Sequence, residues 1–148
     1  MVCLYDANVW VALAFEAHPH YELASQHFEL RDSLQPAAFC RVTQQAFLRL
    51  VTSPVLQRTY GSPPITNADA WSKYQDLLAL PQVLWLDERD GFVDLWQRLA
   101  CLASPSPKVW TDAYLAAFAI FHGAALVTLD RDFKNFEKDG LKLNLLAQ

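Results

Sequence analysis

Residues 111–130 of the chain read TDAYLAAFAIFHGAALVTLD, and this stretch indicates the fold class. Its first half is small and apolar on nearly all sides, which is typical of a buried helix. Gly123 can adopt the left-handed conformation that ends a helix, and the apolar run after it has the length of a strand. We therefore predict a helix over residues 112–122 with Thr111 as its cap, followed by a buried strand over residues 124–129.

Short apolar runs and helical periodicity alternate along the rest of the chain as well. Residues 2–5 and 83–86 are apolar runs with the length of strands, and residues 143–146 form one last candidate strand. Helical spacing of apolar residues predicts further helices over residues 8–15, 21–30, 42–50, 67–78 and 92–102. Strands with little polar alternation are typical of a parallel sheet buried on both faces. The prediction is an α/β fold in a single domain over residues 1–148, with a central parallel β-sheet flanked by helices on both faces.

The composition excludes several classes of protein. With 148 residues, 53% of them hydrophobic and 19% charged, the chain can bury a core without disulfides or a structural metal. Its three cysteines form no zinc-binding or disulfide pattern, which favours a cytoplasmic location. No apolar run reaches the roughly 20 residues of a membrane span, so we expect no membrane partner. A net charge of −4 argues against a broad basic surface for nucleic acid but leaves room for a local site.

Aspartates follow the predicted strands. Asp6, Asp87 and the pair Asp130 and Asp132 stand where strands end, and Asp112 lies in the first turn of a helix. The carboxyl ends of parallel strands are where α/β folds bind ligands. An aspartate after a strand is also a common turn or cap residue, so only the combination is informative. If these carboxylates converge, their repulsion favours a hard divalent cation, and Mg²⁺ or Mn²⁺ prefers carboxylate oxygens.

Three motifs in order carry a family resemblance: LYDANVW at residues 4–10, TDAYLAAFA at 111–119 and LVTLDRDF at 126–133. Together they resemble the PIN-domain family, and within it the VapC-type ribonuclease toxins of bacterial toxin–antitoxin systems, over essentially the whole chain. The resemblance implies a PIN-like parallel sheet and metal-dependent endonucleolytic cleavage of RNA, with acidic residues that hold Mg²⁺ or Mn²⁺. It also implies a homodimer and a cognate antitoxin protein, whose C-terminal segment lies across the acidic cleft.

The same resemblance assigns roles to residues of the three motifs. It implies that the catalytic, metal-holding residues are Asp6, Asp112 and Asp130. Asp132 is then an additional metal-binding carboxylate, and Asn8 and Thr128 are polar residues that support the site.

The third predicted helix departs from the family pattern. The family usually has a glutamate there, whereas residues 42–49 read VTQQAFLR and contain none. We place Gln44 first and Gln45 second as its replacement. An amide oxygen can bind metal or water but has no charge, so metal affinity should fall and no base remains at this position.

The leading hypothesis is hydrolysis of RNA phosphodiester bonds by water that Mg²⁺ or Mn²⁺ activates, with the charge on the phosphate stabilised by the same ion. Basic side chains near the motifs are candidate contacts for RNA phosphates, although plain solubility explains them equally well. These residues are Arg41, Arg49, Arg131 and Lys134.

Two other functions fit part of the pattern. An aspartate after the first strand also suits a phosphatase of the haloacid-dehalogenase type, but that reaction needs a second aspartate where this chain has Asn8. The missing glutamate favours a catalytically silent PIN domain that binds RNA or a protein partner.

Overall fold

The computed structural model describes residues 1–147. The strands are β1 (Cys3–Tyr5), β2 (Ala37–Phe39), β3 (Val83–Trp85), β4 (Ala125–Thr128) and β5 (Lys142–Leu145). The helices are α1 (Ala7–Ala14), α2 (Tyr21–Glu29), α3 (Arg41–Val51), α4 (Pro54–Thr59), α5 (Asn67–Leu78), α6 (Phe92–Ala100) and α7 (Val109–Phe121), and a 3₁₀ helix covers Arg131–Asp139.

The five strands form one parallel sheet in the order β3-β2-β1-β4-β5. The strand order reverses at β1, which pairs with β2 on one side and β4 on the other. In such sheets ligands bind beside the carboxyl ends of the strands at the point of reversal. The predicted α/β class is confirmed, and the topology indicates where to look for a site.

Helices cover both faces of this sheet, as predicted. Side chains alternate along each strand, so neighbours in sequence enter different cores. Leu4 and Leu126 belong to a cluster with residues of α6 and α7. Tyr5 and Val127 belong to a second cluster with residues of α1, α2, α3 and α5. Both faces are therefore apolar, which explains why the strands show no polar alternation.

Helix α7 ends where the sequence predicts but begins earlier. Gly123 has a φ of 63°, and the amides of Gly123 and Ala124 donate to the carbonyls of Ile120 and Ala119, as in a Schellman ending. The helix begins at Val109, so Thr111 is not its cap; its hydroxyl donates to the Lys108 carbonyl at 3.3 Å. Within residues 1–147, no helix combines the length and the apolar character needed to cross a bilayer.

Three elements were not predicted. Strand β2 reads AAF, and its two alanines have a low propensity for strands. Helix α4 directly follows the end of α3, because Ser53 accepts from the Leu56 amide while Pro54 fits the first helical position. The 3₁₀ helix buries Phe133 and Phe136 three residues apart and exposes the polar residues between them.

Candidate functional site

A cavity of about 810 Å³ opens at the carboxyl ends of β1 and β4. It is lined by residues of α1, α3 and α7 and of the segments that follow β1 and β4. Asp6, Asp112 and Asp130 all lie in its wall. Residues more than a hundred positions apart in the chain therefore meet in one cavity, at the edge of the sheet where a site was expected.

Asp6 is fixed in place by the neighbouring strand. Its amide donates to the Val127 carbonyl at 2.9 Å, and its carboxylate accepts from the Thr128 hydroxyl at 2.7 Å. Although Asp6 precedes α1, its side chain does not cap that helix. Burial raises the pKa of Asp6, and the nearby charges of Asp130 and Asp112 raise it further against the lowering effect of the Thr128 hydrogen bond.

Thr128 connects three parts of the site. Its buried hydroxyl also accepts from the Asp130 amide at 3.0 Å and from the Asn8 side-chain amide at 3.4 Å. The Asn8 oxygen in turn accepts from the Leu129 amide at 3.3 Å. These contacts tie the loop after β4 to the start of α1, an arrangement that is compatible with the supporting roles predicted for Asn8 and Thr128.

Asp112 and Asp130 approach the cavity from different elements. Asp112 lies in the first turn of α7, and burial raises its pKa, while Lys108 acts in the opposite direction. Asp130 begins the 3₁₀ helix, where its side chain accepts from the Asp132 amide at 2.9 Å. This local turn uses one oxygen of Asp130, and the other accepts a hydrogen bond from Lys108.

A lysine that the sequence motifs do not include stands among the carboxylates. The Lys108 ammonium lies 2.7 Å from Asp132, 3.2 Å from Asp130 and 3.5 Å from Asp112. Hydrogen bonds to Asp132 and Asp130 raise the pKa of Lys108. The spacing of Lys108 and Asp112, four residues apart in the chain, was the only signal in the sequence, because the other two partners come from a distant segment.

The carboxylate oxygens around Lys108 suit a hard divalent cation, but they lie at ion-pair distances from the ammonium. Three carboxylate oxygens surround one positively charged atom, which is the donor chemistry that Mg²⁺ and Mn²⁺ require. Oxygen ligands of Mg²⁺ stand at about 2.0–2.1 Å, closer than any of these contacts. Across residues 1–147, no three His, Cys, Asp or Glu side chains are arranged as a metal site. The residues therefore fit the ion chemically, and the Lys108 ammonium lies between the carboxylates of Asp112, Asp130 and Asp132.

Of the two glutamines, the second lies in the cavity wall, whereas Gln44 was predicted first as the replacement for the glutamate. Gln44 is only 5% exposed, and its oxygen accepts from Arg41 at 2.6 Å. Gln45 is exposed and lines the cavity beside Asp6. Gln44, its neighbour in the helix, does not line the cavity.

Only one of the predicted phosphate-binding residues lies in the cavity wall, and that residue is Arg49. Arg41 instead lies over the Trp85 ring, with its guanidinium carbon 4.7 Å from the ring centroid. Arg131 and Lys134 are exposed on the 3₁₀ helix and do not line the described cavity. Asp87 also stays outside, where it accepts from the Trp85 indole at 2.7 Å.

Comparisons with known proteins agree with this architecture. The PIN domain family matches residues 3–139. Over 146 residues the chain is 41% identical to Ribonuclease VapC41 of Mycobacterium tuberculosis, covering 98% of this chain and 99% of the relative. It is 31% identical over 134 residues to Ribonuclease VapC31 of the same species, covering 90% and 92%.

Solved structures of low sequence identity share the fold. VapBC2 from Rickettsia felis, bound to a DNA fragment from its promoter, matches with a TM-score of 0.67 and 18% identity, covering 98% of both chains. VapBC-1 from nontypeable Haemophilus influenzae matches with a TM-score of 0.68 and 14% identity, covering 99% of this chain and 98% of the other.

Proposed function

The chain belongs to the PIN-domain family, and from that premise we propose that it is a metal-dependent endoribonuclease that hydrolyses RNA phosphodiester bonds. The observation that carries the proposal is the meeting of Asp6, Asp112 and Asp130, one from each of the three sequence motifs, in a single cavity. Relatives at 41% and 31% identity are named ribonucleases, which supports RNA as the substrate.

Asp6, Asp112 and Asp130 are the residues that would hold Mg²⁺ or Mn²⁺. When bound, such an ion supplies Lewis acidity toward a phosphate group and its attacking water. Asp6 must be ionised to hold a cation, and its buried carboxylate is oriented for this by the Thr128 hydroxyl at 2.7 Å. Thr128 also fixes the backbone of Asp130.

The remaining polar residues of the cavity are suited to binding and orienting RNA. Arg49 is positively charged and lies in the same wall as the aspartates, so it can bind a phosphate of the substrate. Gln45 can donate a hydrogen bond to water or substrate, but it cannot take a proton from water as a carboxylate can. With glutamine in place of the family's glutamate, we expect weaker metal binding than a fourth carboxylate would give.

We also propose an antitoxin protein as partner, a homodimeric state and a cytoplasmic location. The structural neighbours are named as VapBC or toxin–antitoxin complexes, and this supports the antitoxin partner. The cysteines of the chain are free, and a cytoplasmic protein keeps its thiols reduced.

The direct test is cleavage of a mixed RNA pool that includes transfer RNAs, by antitoxin-free protein in Mg²⁺, Mn²⁺ or EDTA. We expect cleavage that needs the metal and is lost in Asp6→Asn and Asp112→Asn. Asp87→Asn is the matched control, because Asp87 also follows a strand but lies outside the cavity, and it should retain full activity. The metal-dependent mechanism is wrong if the protein is as active in EDTA as in Mg²⁺ or Mn²⁺, or if both site variants are as active as wild type.

A catalytically silent PIN domain that binds RNA or a protein is the second candidate. It is favoured by the Lys108 ammonium among the carboxylates and by glutamine in place of the family's glutamate. RNA binding by well-folded protein in EDTA, with no cleavage in any metal, would identify this function instead.

A further inference from the structure

We propose that Lys108 is a built-in competitor of the divalent ion: it neutralises the carboxylates of the metal-free protein and must leave Asp112 and Asp130 before an ion can bind them. The inference rests on the proposed function, because it concerns the ion that the endoribonuclease requires. Through this competition Lys108 lowers the affinity of the protein for the ion.

The ammonium of Lys108 lies close to the oxygens that an ion would use. Lys108 lies 3.2 Å from an oxygen of Asp130 and 3.5 Å from an oxygen of Asp112. An ion bound to either oxygen at about 2.1 Å would stand within roughly 6 Å of the ammonium. A divalent ion and an ammonium repel each other at that range, so the two compete for these oxygens.

The side chain of Lys108 can move while its backbone stays beside the site. Its side chain is 59% exposed, and within residues 1–147 its side-chain ion pairs are those with the three aspartates. Rotation of a long exposed side chain needs no change in the fold. Because α7 begins at the next residue, the backbone of Lys108 keeps the ammonium within reach of the cavity.

Asp132 can hold the ammonium after it leaves the other two aspartates. Asp132 is its closest partner at 2.7 Å and is 60% exposed, whereas the side chain of Asp112 is only 19% exposed. Asp132 does not line the cavity that contains Asp6, but it lines the adjoining one together with Lys108. Asp132 is thus suited to retain Lys108 when the ion takes Asp112 and Asp130, a role different from the metal ligand predicted from the sequence.

The test is calorimetric titration of metal-free protein with Mn²⁺. Lys108→Met should bind Mn²⁺ at least about threefold more tightly than wild type, since removal of several exposed ion pairs releases the carboxylates. Lys108→Arg keeps the charge and should stay near wild type. Lys142→Met is the matched control for net charge, because Lys142 pairs with Ala125 at the opposite end of the sheet from the cavity, and it should leave the affinity unchanged.

A second readout separates competition from simple weakening of the structure. Without metal, Lys108→Met should melt about 2–4 °C below wild type, because the aspartates then repel each other, and saturating Mn²⁺ should remove the difference. Asp132→Asn should weaken Mn²⁺ binding, because Lys108 then stays on Asp130 and Asp112.

The outcomes distinguish this inference from the proposed function. Equal or weaker Mn²⁺ binding by Lys108→Met overturns the role of Lys108 but leaves a metal-dependent ribonuclease intact. Binding by Lys108→Met with none by wild type supports the inference in its strongest form. Absence of Mn²⁺ binding in both proteins overturns the inference and the metal-dependent function together.

Discussion

The carboxyl group of Asp6 lies buried at the end of β1, and burial raises its pKa above the usual aspartate value. A carboxyl whose pKa is raised by folding binds its proton more tightly in the folded state. Stability is then fully present below the unfolded-state pKa and decreases as the pH rises through the higher, folded-state pKa. At neutral pH the ionised Asp6 is therefore expected to destabilise the metal-free protein.

Asp6→Asn is predicted to stabilise the metal-free protein at pH 7 by about 0.5–2 kcal/mol, as is common when a functional site is neutralised. The amide oxygen can still accept from Thr128, so the packing is kept. Urea unfolding of both proteins between pH 4 and pH 7.5 measures the effect, and the gap should widen as the pH rises. A variant that is less stable than wild type at pH 7 contradicts this account of Asp6.

The two glutamines of α3 give a matched pair of substitutions. Gln45→Glu adds a carboxylate to the cavity wall and is predicted to raise Mn²⁺ affinity by about tenfold, which corresponds to roughly 1.4 kcal/mol. Gln44→Glu places the same group beside Arg41, away from the cavity, and should leave the affinity unchanged. Calorimetry of both variants decides the assignment, and it is wrong if Gln44→Glu is the one that binds more tightly.

Among the elements, α7 has the clearest local determinants. Its apolar sequence is buried against α6 and the sheet, and its end depends on a glycine with positive φ. A side chain added at Gly123 meets nothing within 4 Å, so the cost of a substitution there is backbone strain alone.

Gly123→Ala is accordingly predicted to lower the free energy of unfolding by about 1–2 kcal/mol, because other residues rarely adopt this conformation. Gly123→Asn should cost less, since asparagine tolerates the left-handed region. Chemical denaturation of the three proteins should give the stability order glycine, asparagine, alanine. Equal stability of all three would show that the helix ending does not depend on this residue.

The sequence was sufficient for elements with a clear apolar run or helical period and insufficient for elements without one. The apolar run of α7, its glycine and the strand after it predict a helix and a strand within a few residues of their observed bounds. Strand β2 contains two alanines, which are weak strand formers, and helix α4 has six residues, too few to show a helical period. The start of α7 was misplaced because Thr111 resembles a cap, whereas the first turn already forms at Val109.

Of the candidate site, only the aspartates at the ends of the strands could be predicted, because their position follows from the direction of the strands. In a parallel sheet all carboxyl ends lie at one edge, so the aspartates at strand ends could be placed together from the sequence alone. The orientation of Gln44 and Gln45 depends on the rotation of α3, and the position of Lys108 depends on how α7 packs against the 3₁₀ helix. Neither is encoded in a local pattern, so both required the three-dimensional arrangement.

In the whole molecule, the reversal of strand order at β1 brings three distant segments of the chain to one edge of the sheet. Asp6 follows β1, Asp130 lies beyond the end of β4, and α7 supplies Asp112 from the helix that precedes β4. The supporting contacts of Thr128 and Asn8 join the segments after β1 and β4. The candidate site is thus formed by the topology of the sheet, and the positive charge of Lys108 partly neutralises its aspartates.

The central claim is that a divalent ion binds between Asp6, Asp112 and Asp130. Anomalous diffraction from a crystal soaked in Mn²⁺ tests it most directly. We predict one strong peak in the cavity, about 2.0–2.3 Å from carboxylate oxygens of these residues, with the Lys108 ammonium moved from Asp112 and Asp130 toward Asp132. A cavity without Mn²⁺, at an ion concentration that supports RNA cleavage and with Lys108 still on all three aspartates, would contradict the account.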